Sequence, residues 1–160
     1  MWTPVAGLRE KCKNCPLWRS IERWIGTPFH YRGHTPGVAV DCVSLSLLLM
    51  EDVGALPKGE WRKIYSTERL RAWKRGVYDI EKVREVFGPY ATFVERPDRC
   101  GDVQLLFNPR FRRLHFRISL PDKMVLEALP DLGVVIGGEQ EHPKRYYVAT
   151  LRFFSWGCER

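Results

Sequence analysis

One cysteine stands where its neighbours could make it a nucleophile. Cys42 directly follows Asp41, a favoured helix N-cap, and opens the run CVSLSLLLMEDVG. That order predicts a helix with the thiol in its first turn, where the macrodipole favours a thiolate. The run is apolar almost all round, so the helix is expected to be buried, with Gly54 as its stop. The preceding residues 26–40, GTPFHYRGHTPGVAV, read as a Gly- and Pro-rich loop that leaves the sulfur accessible. The competing reading is a small core hydrophobe, where most free cysteines belong.

A thiolate nucleophile needs a base, and the base needs a group to orient it. His115 is the candidate base. In LHFRISL the apolar residues 114, 116, 118 and 120 share one strand face, and His115, Arg117 and Ser119 share the other. Glu127 is the single charge in MVLEAL, and a carboxylate in an apolar strand needs a partner or a purpose. Pro121-Asp122-Lys123 reads as a hairpin connection. If the loop has three residues, Leu120 pairs with Met124 and Arg117 lies opposite Glu127. His115 is then the diagonal neighbour on the same face. The alternative role for Glu127 is a cross-strand ion pair with Arg117.

The other cysteines are Cys12, Cys15, Cys100 and Cys158. A total of 5, with no apolar leader in MWTPVAGLREKCK, argues against a disulfide framework and against a signal peptide. Cys12-x-x-Cys15 with Cys100 and Cys158 could form a four-sulfur zinc or iron–sulfur site. Thiolate hydrolysis itself needs no cofactor.

These residues must be positioned by a scaffold. Residues 1–15 read as irregular, an N-terminal extension carrying the CxxC pair. PLWRSIERWI has helical apolar spacing with Pro16 in the first turn. TERLRAWKR and IEKVREVF read as further helices. VQLLF, LHFRISL, MVLEAL, GVVI and RYYVATLRFF read as short strands divided by turns. Helices followed by strands predict an α+β domain with an antiparallel sheet, spanning 1–160 as one unit.

Composition narrows the partners. The chain has 160 residues and a formal charge of +7. The basic residues are scattered, without the stripe or motif of a nucleic-acid binder, so nucleic acid is not the expected partner. No apolar stretch is long enough for a membrane span.

Taken together, the motifs resemble the NlpC-type family of cell-wall cysteine peptidases, which are papain-like. The family's W-x-G-T-P-Y-x-Y-G-G loop is resembled by Trp24-Ile-Gly-Thr-Pro-Phe-His-Tyr31-Arg-Gly33, and its D-C-S-G-L by Asp41-Cys-Val-Ser-Leu45. Gly101-Asp102-Val-Gln-Leu-Leu-Phe107 resembles G-D-x-x-x-F, and His115-Phe-Arg-Ile-Ser-Leu120 resembles H-V-G-I-Y-L. Val125-Leu-Glu-Ala128 and Gly133-Val-Val135 resemble the last strands. The likeness covers about residues 20–136. It implies N-terminal helices packed on an antiparallel sheet, and hydrolysis of peptidoglycan stem peptides between D-glutamate and a diamino acid. Carried over, Cys42 is the nucleophile, His115 the base and Glu127 the orienting group, where the family often has His. Tyr31, Asp41 and Ser44 become substrate-binding positions. Val43, Ser44, Arg32 and Arg117 depart from the pattern and crowd the cleft. The variant is most similar to small peptidases of phage tails, which implies a virion or host-cytoplasm location and other tail proteins as partners. The rival is a structural tail or tail-assembly protein that keeps the shape without cutting.

Overall fold

The computed structural model describes residues 3–66, 80–97, 99–108, 113–140 and 146–153. Helix α1 (Thr3–Lys11) leads into α2 (Pro16–Trp24), where Pro16 occupies the first turn and Leu17, Trp18, Ile21 and Trp24 form the buried stripe. Two short strands, β1 (His34–Thr35) and β2 (Ala39–Val40), fold the Gly-rich loop on itself. Helix α3 (Cys42–Asp52) follows Asp41 directly and is buried on nearly every side. Helices α4 (Glu60–Tyr65) and α5 (Ile80–Phe87) bury Trp61 with Ile64 and Val83 with Phe87.

The strands β3 (Ala91–Val94), β4 (Val103–Asn108), β5 (Arg113–Leu120), β6 (Met124–Leu129), β7 (Gly133–Gly138) and β8 (Tyr147–Phe153) form one sheet in the order β3-β8-β4-β5-β6-β7. Every neighbouring pair is antiparallel, so the fold is α+β. The β5–β6 connection is the three-residue turn Pro121–Lys123, and Leu120 pairs with Met124. Strand alternation divides the sheet into two layers. Leu105, Phe116, Ile118, Leu126, Val134 and Leu151 join the helices in the apolar core, with α3 packed on β5 and β6. The other layer is buried yet polar, with Gln104, Arg117, Ser119 and Thr150 all 5% exposed or less.

That polar layer is closed by hydrogen bonds. Arg117 Nε donates to Gln104 Oε1 at 2.9 Å, and its terminal nitrogens donate to the Gln140 carbonyl and the Tyr147 hydroxyl, each at 3.2 Å. Gln104 Nε2 donates to Ser119 Oγ at 2.9 Å and Glu139 Oε1 at 2.6 Å. The ion-pair partner of Arg117 is therefore Glu139, at 3.8 Å, in place of the alternative pairing with Glu127.

Three elements differ from the sequence expectation. Residues 3–11, read as irregular, are helical. Leu8 and Cys12, one turn apart, enter the core while Arg9, Glu10 and Lys11 stay exposed, so a stripe this narrow left no clear period. The segment is thus part of the packed body. Helix α4 and strand β3 were also not expected. Both are short, and β3 exists through pairing with β8, from Ala91–Phe153 to Val94–Thr150. The expected helix TERLRAWKR lies outside the described residues, and the expected strand at RYYVATLRFF is described over Tyr147–Phe153. Among the described residues no helix is long and apolar enough to cross a membrane.

The Gly-rich loop is stitched to β7. Gly26 N donates to Val134 O and Val134 N to Thr27 O, both at 2.9 Å. Gly133 makes this approach possible. Its φ is +72°, and a Cβ there would stand 2.4 Å from the Thr27 carbonyl oxygen. Gly133→Ala should therefore lower unfolding free energy by roughly 1–3 kcal/mol in urea titrations. Gly137→Ala, whose methyl group meets nothing within 4 Å, should change it by less than about 0.5 kcal/mol.

Candidate active site

The site begins with the cap of α3. Asp41 Oδ1 accepts from Ser44 N at 2.8 Å, and Ser44 Oγ accepts from Asp41 N at 3.1 Å, a reciprocal capping box. Asp41 Oδ2 accepts from Arg32 N at 3.0 Å and from the Tyr65 hydroxyl. Burial first, then this carboxylate, push the Tyr65 phenol well above its usual range, so it stays a donor. Ser44 Oγ also donates to Gly33 O at 2.7 Å. One buried carboxylate thereby ties together the start of α3, the preceding loop and α4. Arg32 takes the left-handed conformation at φ 65°. At Gly33 a Cβ would lie 2.5 Å from the Ala39 carbonyl carbon and the Val40 nitrogen, so the loop's crossing admits only glycine.

Cys42, in the first turn, is half-buried. Its sulfur lies near enough to the His115 imidazole to perturb its titration, and the imidazole hydrogen-bonds Glu127: His115 Nε2 and Glu127 Oε1 are 2.9 Å apart. With Nε2 committed to the carboxylate, Nδ1 is the ring nitrogen left for sulfur. Continued one residue past the Ile118–Leu126 pair, the register of β5 and β6 sets Glu127 level with Arg117 and so on the His115 face. The His115 and Glu127 side chains are 28% and 19% exposed. Burial pulls the imidazole pKa down, but the hydrogen bonds and charges of Cys42 and Glu127 outweigh it and raise it to about 9. At neutral pH the imidazole is held as a cation between the sulfur and the carboxylate.

His115 and Glu127 line a cavity of about 510 Å³, walled on the apolar side by Phe107, Leu129 and Ile136 and on the polar side by Arg117 and Gln140. The structure thus brings Cys42, His115 and Glu127 together. Asp41 and Ser44 lie beneath the surface, 1% and 0% exposed, holding the loop from below. Tyr31 is 54% exposed and rests edge-on against Phe29, ring centroids 5.2 Å apart. Tyr65 escaped sequence reasoning: it sits in WRKIY with no motif around it, and only the packing of α4 on α3 carries it to Asp41.

Asp41→Ala removes the cap and leaves Arg32 N and the Tyr65 hydroxyl without this acceptor. Stability should fall by more than the ~1–2 kcal/mol of a simple cap loss, read by thermal or urea unfolding. Asp41→Asn, which keeps an acceptor for the cap, should recover part of the loss.

No protein-family model matches the chain, and no curated protein matches its sequence.

Proposed function

We propose that this protein is a cysteine peptidase of the papain-like NlpC type that hydrolyses peptidoglycan stem peptides. The observation that supports this reading best is the imidazole of His115, hydrogen-bonded to a carboxylate and placed near the sulfur of a helix-N-terminal cysteine.

In the proposed mechanism the Cys42 thiolate attacks the scissile amide carbon, forming a C–S bond and an oxyanion. Of the first-turn amides, Ser44 N is taken by Asp41 Oδ1 and Leu45 N by the Asp41 carbonyl, so those of Cys42 and Val43 are the donors a developing oxyanion can use. Collapse breaks the C–N bond, and the leaving amine takes the proton from His115. Water then attacks the thioester, His115 accepts its proton, and the carboxylate product leaves with the thiolate–imidazolium pair restored. Glu127 orients the ring and favours its charged form. No step calls for a cofactor. Tyr31, on the exposed loop, is the proposed substrate-binding position; Asp41 and Ser44, expected to share that role, are buried and act by holding the loop and the first turn of α3 in place. The cavity beside His115 offers room for a stem-peptide side chain. A tail-associated, wall-opening protein of a phage particle, working among other tail proteins, is the setting proposed with this activity.

The deciding experiment is digestion of purified peptidoglycan, with mass spectrometry of the released fragments. Stem-peptide cleavage that disappears in Cys42→Ala supports the proposal, and cleavage surviving in that variant overturns it. Intact peptidoglycan after incubation with folded wild-type protein favours the structural tail-protein reading.

Further outcomes concern the thiol and the imidazole. Cys42 should be alkylated faster than Cys12, Cys15 or Cys100 near neutral pH, because those three are 5% exposed or less. Activity should fall as pH rises through about 9, where His115 loses the proton it donates to the leaving amine. The Glu127 charge raises that pKa, so Glu127→Gln should shift the alkaline limb to lower pH. It should also cut kcat by roughly 10- to 100-fold, short of the full loss in Cys42→Ala. An unshifted limb would argue that Glu127 does not act on the ring.

A further inference from the structure

Helix α4 carries two aromatic side chains toward the start of α3, and a tyrosine–carboxylate bond holds each of its ends. At the first turn the Tyr90 hydroxyl donates to Glu60 Oε1. At the last turn the Tyr65 hydroxyl donates to Asp41 Oδ2, which also accepts from Arg32 N at 3.0 Å. Between the two, Trp61 packs against the His34 ring of β1, centroids 5.4 Å apart, and meets the Tyr65 ring edge-on at 6.1 Å. The Tyr65 oxygen is therefore fixed by its own ring's packing as well as by its acceptor. Its bond falls on the residue that directly precedes Cys42.

The position of Asp41 sets two demands against each other. The cap needs an acceptor for Ser44 N, which Oδ1 supplies at 2.8 Å. A carboxylate one residue from a thiol, however, opposes formation of the thiolate. A hydroxyl donated to the other carboxylate oxygen draws off part of that charge and leaves the cap bond intact. We propose that Tyr65 is a positioning residue for Cys42: by donating to Asp41 Oδ2 it lets one carboxylate hold the first turn of α3 without raising the sulfur's demand for a proton. The inference rests on Cys42 being the nucleophile of the reading above. Burial and then this carboxylate keep the phenol protonated well past neutral pH, so it stays a donor wherever the thiolate is needed. The other titratable groups on the segments packed against α3 have partners of their own. His115 of β5 bonds Glu127 of β6, and Arg117 is engaged with Gln104 and Glu139. His30 and His34 bond the carbonyls of Tyr31 and Arg32. On α4, Glu60 pairs with Lys63 and Arg62 lies over Trp61. On α2, Glu22 pairs with Arg9, and Arg19 and Arg23 gather with Asp52 at the far end of α3.

The test is alkylation of the full chain by iodoacetamide across pH, resolved residue by residue with peptide mass spectrometry. Cys12, Cys15 and Cys100, buried and in no metal-binding group among the described residues, serve as slow internal references; Cys158 lies outside those residues. In Tyr65→Phe the acid limb of Cys42 alkylation should move up by about half to one pH unit, a three- to tenfold slower reaction below the midpoint. Tyr90→Phe, which loses the matching bond at the other end of α4, should leave the midpoint in place. In Asp41→Asn, where no charge remains to be drawn off, the midpoint should fall, and Tyr65→Phe added to it should move it by less than about 0.2 unit. A merely structural Tyr65 predicts lower stability in Tyr65→Phe with an unmoved midpoint, and that result overturns the proposal. An equal shift in Tyr90→Phe, or the full shift retained on the Asp41→Asn background, also overturns it. If Tyr65→Phe does not fold, Asp41→Asn decides alone, and a midpoint that does not fall there overturns the proposal. The readout uses no peptidoglycan. Intact wall beside a shifted midpoint therefore fails the peptidase reading alone, and cleaved wall beside an unmoved midpoint fails this inference alone.

Discussion

The structure around the candidate site depends on one buried carboxylate. An ionised Asp41 at 1% exposure would cost several kcal/mol if it lacked donors. It is instead met by two backbone amides, one hydroxyl and the positive end of α3. Each donor comes from a different stretch of chain, so satisfying the charge fixes three segments at once. The loop bearing Tyr31, the first turn bearing Cys42 and the last turn of α4 cannot move independently without leaving the charge short of a donor. Ser44 extends the arrangement by reaching the Gly33 carbonyl, where the loop presses against Ala39 and Val40.

The second carboxylate of the site has the opposite character. Glu127 lines an open cavity, and its bond is to an imidazole whose charge it favours. Asp41 is held by groups that cannot titrate near neutral pH, while Glu127 faces one that can. This division of labour follows from position. A helix cap sits where amides converge, whereas a strand residue facing a cavity meets side chains. The proposed chemistry needs both kinds: a rigid seat for the sulfur and a responsive partner for the base.

Much of this could be read from residue order. Asp41 before an apolar run marked the cap and the helix behind it. Two apolar strands around Pro121-Asp122-Lys123 marked the hairpin, and period-two alternation then placed His115 and Glu127 on one face. What escaped was whatever depends on contacts distant in sequence. Strand β3 is only four residues and forms because β8 lies beside it. Helix α1 buries a stripe too narrow to show a period. Tyr65 reaches Asp41 across 24 residues, and Arg117 finds Gln104 and Glu139 in place of the strand neighbour that simple register suggested. Side-chain reach and loop return are set by packing, and no local pattern encodes them.

The polar layer under the sheet has a consequence for how the chain finds its pairing. Purely apolar layers tolerate a strand that slides by two residues, since one hydrophobe replaces another. Here such a slide of β5 along β4 would carry Arg117 away from Gln104 and strand a cation in the interior. A slide by one would turn it into the apolar layer among Leu105 and Leu151. The guanidinium therefore acts as a proofreader of strand alignment: misaligned pairings are penalised by an unmet charge, and the alignment that survives fixes β5, the strand that carries His115, against β4.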